Sequence, residues 1–134
     1  MSSVDKKNVA DTWTAAYKDW EDKNGVAFYE RLFENNPEIK AAFTNPDLKI
    51  RSKYFGKMVQ SWMENLENES TLDEKIGEMC AKHKERGQSD IRLFKDALTE
   101  LAGFVNDTVG MNSDQQASWQ KINDVILDIM KTKF

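Results

Sequence analysis

A chain of 134 residues, 40% hydrophobic and 10% aromatic, has enough apolar mass for one folded domain and does not have a disordered composition. A net charge of −4 with no dominant basic run argues against nucleic acid or an anionic membrane surface as main partner. The lone Cys80 has no intrachain partner, the N-terminus Met1 to Lys6 lacks an apolar signal core, and no run of about eighteen apolar residues exists, so a soluble cytoplasmic protein is expected.

Apolar residues recur near the helical period throughout, which predicts an all-α chain of six longer helices, one short helix and no strand. Ser2, with Asp5 three residues on, opens a first helix marked by Val9, Trp13, Tyr17 and Trp20, and Asn24-Gly25 breaks it. Val26, Tyr29, Leu32 and Phe33 mark a second helix that closes at Asn35-Asn36-Pro37. A short segment follows from Pro37 to Phe43, with proline in its first turn. Asn45-Pro46-Asp47 predicts the next start, with Asn45 as N-cap, and that helix runs to about Glu67. After Asn68 to Thr71 a helix spans about Leu72 to Lys84, ended by Arg86-Gly87-Gln88-Ser89. The sixth long run shows Phe94, Ala97, Leu98, Leu101, Ala102 and Val105 on one face and stops at Gly110. Ser113 with Gln116 is read as the capping box of a last helix that buries Trp119, Ile122, Ile126, Ile129 and Met130.

His83 is the only histidine, and it lies on the stripe of Ile76, Met79 and Cys80. An imidazole on such a face is either a hydrogen-bonded core group or a ligand to a metal whose other ligands are not protein. A single histidine cannot build a zinc site, but it can hold a haem, where the porphyrin supplies four nitrogens. The helix after Pro46 carries Leu48, Arg51, Phe55, Met58, Val59, Trp62 and Leu66 in line. Arg51 is the misfit: it either snorkels to solvent or reaches into a pocket. The Tyr29 hydroxyl needs a partner, a nearby carbonyl or a ligand. Four tryptophans and seven phenylalanines suit either a core or a wall around a flat ligand, and Cys80 reads as an inert core thiol. No paired-carboxylate site, phosphate loop, nucleophile elbow or Cys-x-x-Cys pair is present.

Taken together these residues resemble the globin family over roughly residues 4 to 131. Trp13, Leu32-Phe33, Asn36-Pro37-Glu38 running to Phe43, Ala81-Lys82-His83-Lys84, Phe94 and Trp119 carry the likeness. Val59 to Asn68 and His83 to Gly87 look like segments of intracellular haemoglobins of bivalve molluscs. The resemblance implies one globin domain over 1–134. It also implies haem b, with His83 as the proximal ligand and Phe43, Tyr29, Arg51, Phe55, Met79, Phe94 and Ile126 around the cofactor.

The link from Phe43 to the next helix is shorter than many globins have, and the usual distal histidine is absent. Counting back from His83 in the bivalve register puts Arg51 at the distal position with Phe55 one turn on. A vertebrate-style spacing puts Phe55 there, followed by Val59. The first register is preferred because the Trp62-to-His83 segment then matches without a gap. The implied function is reversible binding of dioxygen or another small diatomic ligand, with Tyr29 or Arg51 as hydrogen-bond donor to it. Arg51 pairing with a haem propionate is the alternative pose. The competing classes are a haem peroxidase or nitric oxide dioxygenase, a gas or sulfide sensor or carrier, and a haem-free interaction module. Oligomerisation stays open: the resemblance to bivalve proteins points to a homodimer or another homo-oligomer, with the exposed parts of 50–67 and 72–84 as the surface it implies.

Overall fold

The computed structural model describes residues 1–134 and is helical throughout, with no strand. α1 is Ser3–Tyr17, α2 Gly25–Asn35, α3 Pro37–Ala41, α4 Leu48–Glu64, α5 Glu69–Glu85, α6 Ile91–Val109 and α7 Ser113–Lys133. The expected six long helices and one short helix are therefore present. One continuous core joins them: α7 packs on α1, α5 and α6, while α2 packs on α3, α4 and α6. No helix is long and apolar enough to cross a membrane.

Local chemistry sets most boundaries. Ser2 accepts from the Asp5 amide at 3.1 Å, and the Asp5 carboxylate accepts from the Ser2 amide at 3.2 Å, which completes the expected box. The last helix is capped one residue earlier than the sequence suggests. Asn112, not Ser113, is its N-cap, and it exchanges hydrogen bonds with Gln115 at 2.8 and 2.9 Å. At Asn45-Pro46-Asp47 the cap is Asp47, whose carboxylate accepts from the amides of Lys49 and Ile50; Asn45 instead adopts a left-handed φ of 43°. α4 stops at Glu64, and Asn68 caps α5 through the Thr71 amide, so α5 starts three residues before Leu72.

Asn24-Gly25 does not break the chain. Trp20–Asn24 forms a π-turn that runs directly into α2, and Asn24 is buried with its side-chain amide donating to the Ala16 carbonyl at 2.8 Å. Gly25 is needed for close approach: a Cβ there would come within 2.8 Å of the Trp20 carbonyl and 2.9 Å of Ser52. The α2–α4 crossing thus rests on small residues.

That crossing rotates α4 away from the orientation its large apolar residues suggest. Its buried line is Ser52, Gly56, Val59 and Met63 with Trp62, whereas Leu48, Phe55 and Met58 are only partly covered and Arg51 is exposed. The physical reason is the Trp20 indole, which lies where a Gly56 side chain would be and donates to the Ser52 carbonyl at 2.7 Å. All four tryptophans belong to the core, at 2% exposure or less. Trp13 donates to Gln60 at 2.8 Å and Trp119 to Thr12 at 2.7 Å, so these indole N–H groups are satisfied.

Candidate functional site

Near the C-terminal end of α5 the chain turns at Gly87, whose φ of 72° suits glycine. Two residues before the end of α5 lies His83, half-buried, with Nδ1 2.8 Å from the Met79 carbonyl. A carbonyl can only accept, so Nδ1 carries the proton and donates. Nε2 is left with its lone pair and no protein partner. Phe94 of α6 meets the imidazole edge-on at 5.2 Å, and Phe134 packs on Phe94 at 4.9 Å. Ring orientation is thereby set from two directions.

A second aromatic group is built by α2, α4 and the residue after α3. Tyr29 packs edge-on against Phe43 at 6.2 Å, Phe55 at 5.8 Å, Phe33 at 5.7 Å and Phe28 at 5.6 Å. Phe55 also stacks on Phe28 at 5.1 Å and on Trp20 at 6.2 Å. Tyr29 is only 6% exposed, yet its hydroxyl has no hydrogen-bond partner in the protein. Burial pushes the phenol pKa up to about 12, and the positive charge of Arg51 pulls weakly the other way. The guanidinium therefore lies within electrostatic range of the phenol although it is exposed and unpaired.

The two groups are tied along one edge. Gln88 donates to the Ala42 carbonyl at 3.4 Å, and Arg92 bridges Glu38 and Asp90, each at 3.0 Å. These links join the segment that holds Phe43 to the turn after His83.

The residues singled out in the sequence do not form one cluster. Tyr29 meets both Phe43 and Phe55, and His83 meets Phe94. Met79 meets His83 through its backbone carbonyl, while its side chain is buried at 7% exposure. Ile126 is 2% exposed within the core of α7. Arg51, placed by periodicity on a buried face, stands in solvent at its edge. Phe134 and the Gln88 and Arg92 ties were not legible in the sequence. A terminal aromatic carries no periodic signal, and the ties span 46 and 54 residues.

The globin family profile matches residues 26–130. The chain is 35% identical to Globin-1 of the bivalve Phreagena soyoae, with 100% of this chain and 97% of that protein aligned. It is 31% identical to Globin-2 of the same species, over 98% and 96%. Among solved structures it resembles ferric Aplysia limacina myoglobin, with a TM-score of 0.87 at 19% identity over 99% and 98% of the two chains. The haemoglobin of the botfly Gasterophilus intestinalis gives 0.86 at 17% identity over the same shares. With a family match over most of its length, full-length relatives above 30% identity and this fold, the chain belongs to the globin family.

Proposed function

We propose that this globin holds haem b through His83 and binds dioxygen reversibly. The observation that carries the reading is the His83 imidazole, whose Nδ1 is committed to the Met79 carbonyl so that Nε2 keeps a free lone pair. Haem fits the residues present. A histidine with one oriented free nitrogen, a tyrosine hydroxyl without a protein partner, and partly covered Phe43, Phe55 and Phe94 are what a flat apolar cofactor with one protein ligand requires. Bound haem supplies an iron centre that takes one imidazole from the protein and keeps a position for a small ligand.

The protein's own contribution follows from its side chains. The Met79 carbonyl fixes the tautomer of His83 and makes Nε2 a better donor of its lone pair. Phe94, backed by Phe134, holds the ring in place. The Tyr29 phenol stays protonated through the physiological range, since its pKa is pushed up to about 12, and so offers a hydrogen bond to a bound ligand. Phe43 and Phe55 pack around that phenol and limit water. Arg51 supplies positive charge from the edge. With one histidine in the chain, ligation by two histidines is impossible, which favours a ligand carrier over an electron-transfer protein.

The test is the visible spectrum of the protein reconstituted with haem b, reduced and then cycled between nitrogen and air. The expected result is a five-coordinate ferrous spectrum that converts reversibly to an oxygenated one, and loss of haem retention in His83→Ala. A spectrum indifferent to oxygen, or equal haem retention in the variant, overturns the reading.

A further inference from the structure

An unbroken line of aromatic rings runs from Tyr29 to the surface of α1. Tyr29 meets Phe55 at 5.8 Å, Phe55 stacks on Trp20 at 6.2 Å, and Trp20 lies 5.1 Å from Trp13. Trp13 stacks on Tyr17 at 5.2 Å, and Tyr17 also reaches Trp20 directly at 6.5 Å. Core packing explains why these rings touch. It does not explain how their polar atoms are partnered along the line.

The Trp13 indole N–H donates to the Gln60 amide oxygen at 2.8 Å, and that of Trp20 to the Ser52 carbonyl at 2.7 Å. Both acceptors are neutral amide oxygens, too weakly basic to take a proton from either indole. Tyr29, almost buried, has no acceptor in the protein at all. Tyr17 differs from all three. It is half-buried, and burial, followed by the nearby carboxylates of Glu21 and Glu64, pushes its phenol above the ordinary value. Two bases therefore stand near this one phenol. Glu64 is held in turn by Gln60, whose amide donates to it at 2.9 Å. Tyr17 also lines an open surface groove with Asp11, Thr14, Ala15 and Lys18. Tyr54 is far more exposed, at 63%, yet it belongs to no such line.

Tryptophan and tyrosine are among the side chains most readily oxidised by one electron, and short steps between touching rings outrun one long jump. An oxidised indole that cannot lose its proton passes the vacancy on. An oxidised phenol beside a base loses its proton and traps the vacancy. The line is therefore directional, and Tyr17 is its end. We propose that Trp20 and Trp13 relay oxidising equivalents from the ligand site to Tyr17, where small phenolic reductants restore the tyrosine when hydrogen peroxide reaches that site. The proposal rests on the haem reading above and adds a peroxide-consuming activity to it.

The balance is one peroxide to two reductants. The O–O bond of the peroxide breaks, and with two electrons and two protons it leaves as two waters. Each electron comes from Trp20, which is refilled from Trp13 or directly from Tyr17. Tyr17 gives its phenolic proton through Glu21 or Glu64 to solvent, which makes good one of the two protons the peroxide takes up. A phenol in the groove then returns one electron and one proton to Tyr17 and leaves as a phenoxyl radical. Phe55, which is not readily oxidised, only shortens the first gap.

The first test needs no haem. A near-ultraviolet flash ionises tryptophan inside the haem-free protein, and transient absorbance follows tryptophanyl and tyrosyl radicals separately. The expected result is first-order conversion of one into the other, at a rate independent of protein concentration. Conversion is lost in Tyr17→Phe, which keeps the ring contacts, and is kept in Tyr54→Phe and Tyr29→Phe. If it is lost in Tyr54→Phe instead, exposure rather than the ring line selects the tyrosine and the proposal falls. Conversion that survives Tyr17→Phe has the same consequence.

The second test mixes the ferric haem-loaded protein with hydrogen peroxide and freezes it for electron paramagnetic resonance. A tyrosyl signal is expected that disappears in Tyr17→Phe and persists in Tyr54→Phe, with slower peroxide-driven oxidation of guaiacol in Tyr17→Phe. A loaded protein whose signal is indifferent to Tyr17→Phe sinks the relay alone. A protein that takes up no haem sinks it together with the carrier reading.

Discussion

Replacing Tyr29 by phenylalanine separates the chemistry of the phenol from its packing. The ring makes edge contacts with Phe28, Phe33, Phe43 and Phe55, and phenylalanine keeps all of them. The hydroxyl, by contrast, touches no protein acceptor while the residue is 6% exposed. Deleting it therefore removes no hydrogen bond within the protein. The variant's melting temperature should stay within about 4 °C of the parent. In the haem-loaded protein the same hydroxyl is the proposed donor to the ligand. A neutral donor contributes about 0.5–1.5 kcal/mol, which corresponds to dioxygen release faster by roughly 2- to 12-fold. Stopped-flow displacement of dioxygen by carbon monoxide reads the release rate, and thermal unfolding followed by circular dichroism reads stability. Faster release together with preserved stability supports the assignment. Unchanged release refutes the donor role, and a fall of more than about 4 °C shows that the hydroxyl has a structural partner instead.

Other outcomes are equally specific. Arg51→Leu removes a charge that reaches Tyr29 from solvent, so dioxygen release should speed up less than in Tyr29→Phe; the reverse order in the same stopped-flow assay would make Arg51 the principal donor. Gly56→Ala puts a methyl group into the Trp20 indole, whose N–H is held by the Ser52 carbonyl. Even after the gain in helix propensity it should cost about 1–2 kcal/mol, measured by urea unfolding. Hydrogen bonds from Ser118 and Ser2, with Lys121 alongside, hold the Asp5 carboxyl well below its ordinary 3.8. A depressed carboxylate stabilises the fold above that value and loses the contribution as pH falls below it. Asp5→Asn should thus be less stable than the parent at pH 7, and the gap between their melting temperatures should narrow below about pH 4.

Much of the fold was legible because helices report themselves locally. Proline at the start of α3, glycine after α6 and the Ser2–Asp5 box are one-turn signals, and each lies where the sequence indicates. The misreadings share a cause. Asn24-Gly25 looks like a stop, but Gly25 is there for the close approach of Ser52 and the Trp20 carbonyl, contacts that no local pattern announces. The Leu48–Arg51–Phe55–Met58 line looks like the buried face of α4, yet small residues pack closest, so Ser52 and Gly56 take that face and the large residues become the edge. Asp47 and Asn112 outcompete neighbouring caps one or two residues away, a difference that depends on which oxygen reaches the amide.

The site divides in the same way. By itself the sequence determined the helical class, the uniqueness of His83, the impossibility of ligation by two histidines, and the aromatic residues available near it, because these follow from composition and short-range spacing. Only the tertiary structure decided that Phe134 backs Phe94, that the Tyr29 hydroxyl has no protein partner, and that Arg51 stands exposed and unpaired. Each of those is an outcome of how the helices pack on one another. Burial and hydrogen-bond partnership belong to pairs of groups brought together by packing, and a one-dimensional pattern records only one member of each pair.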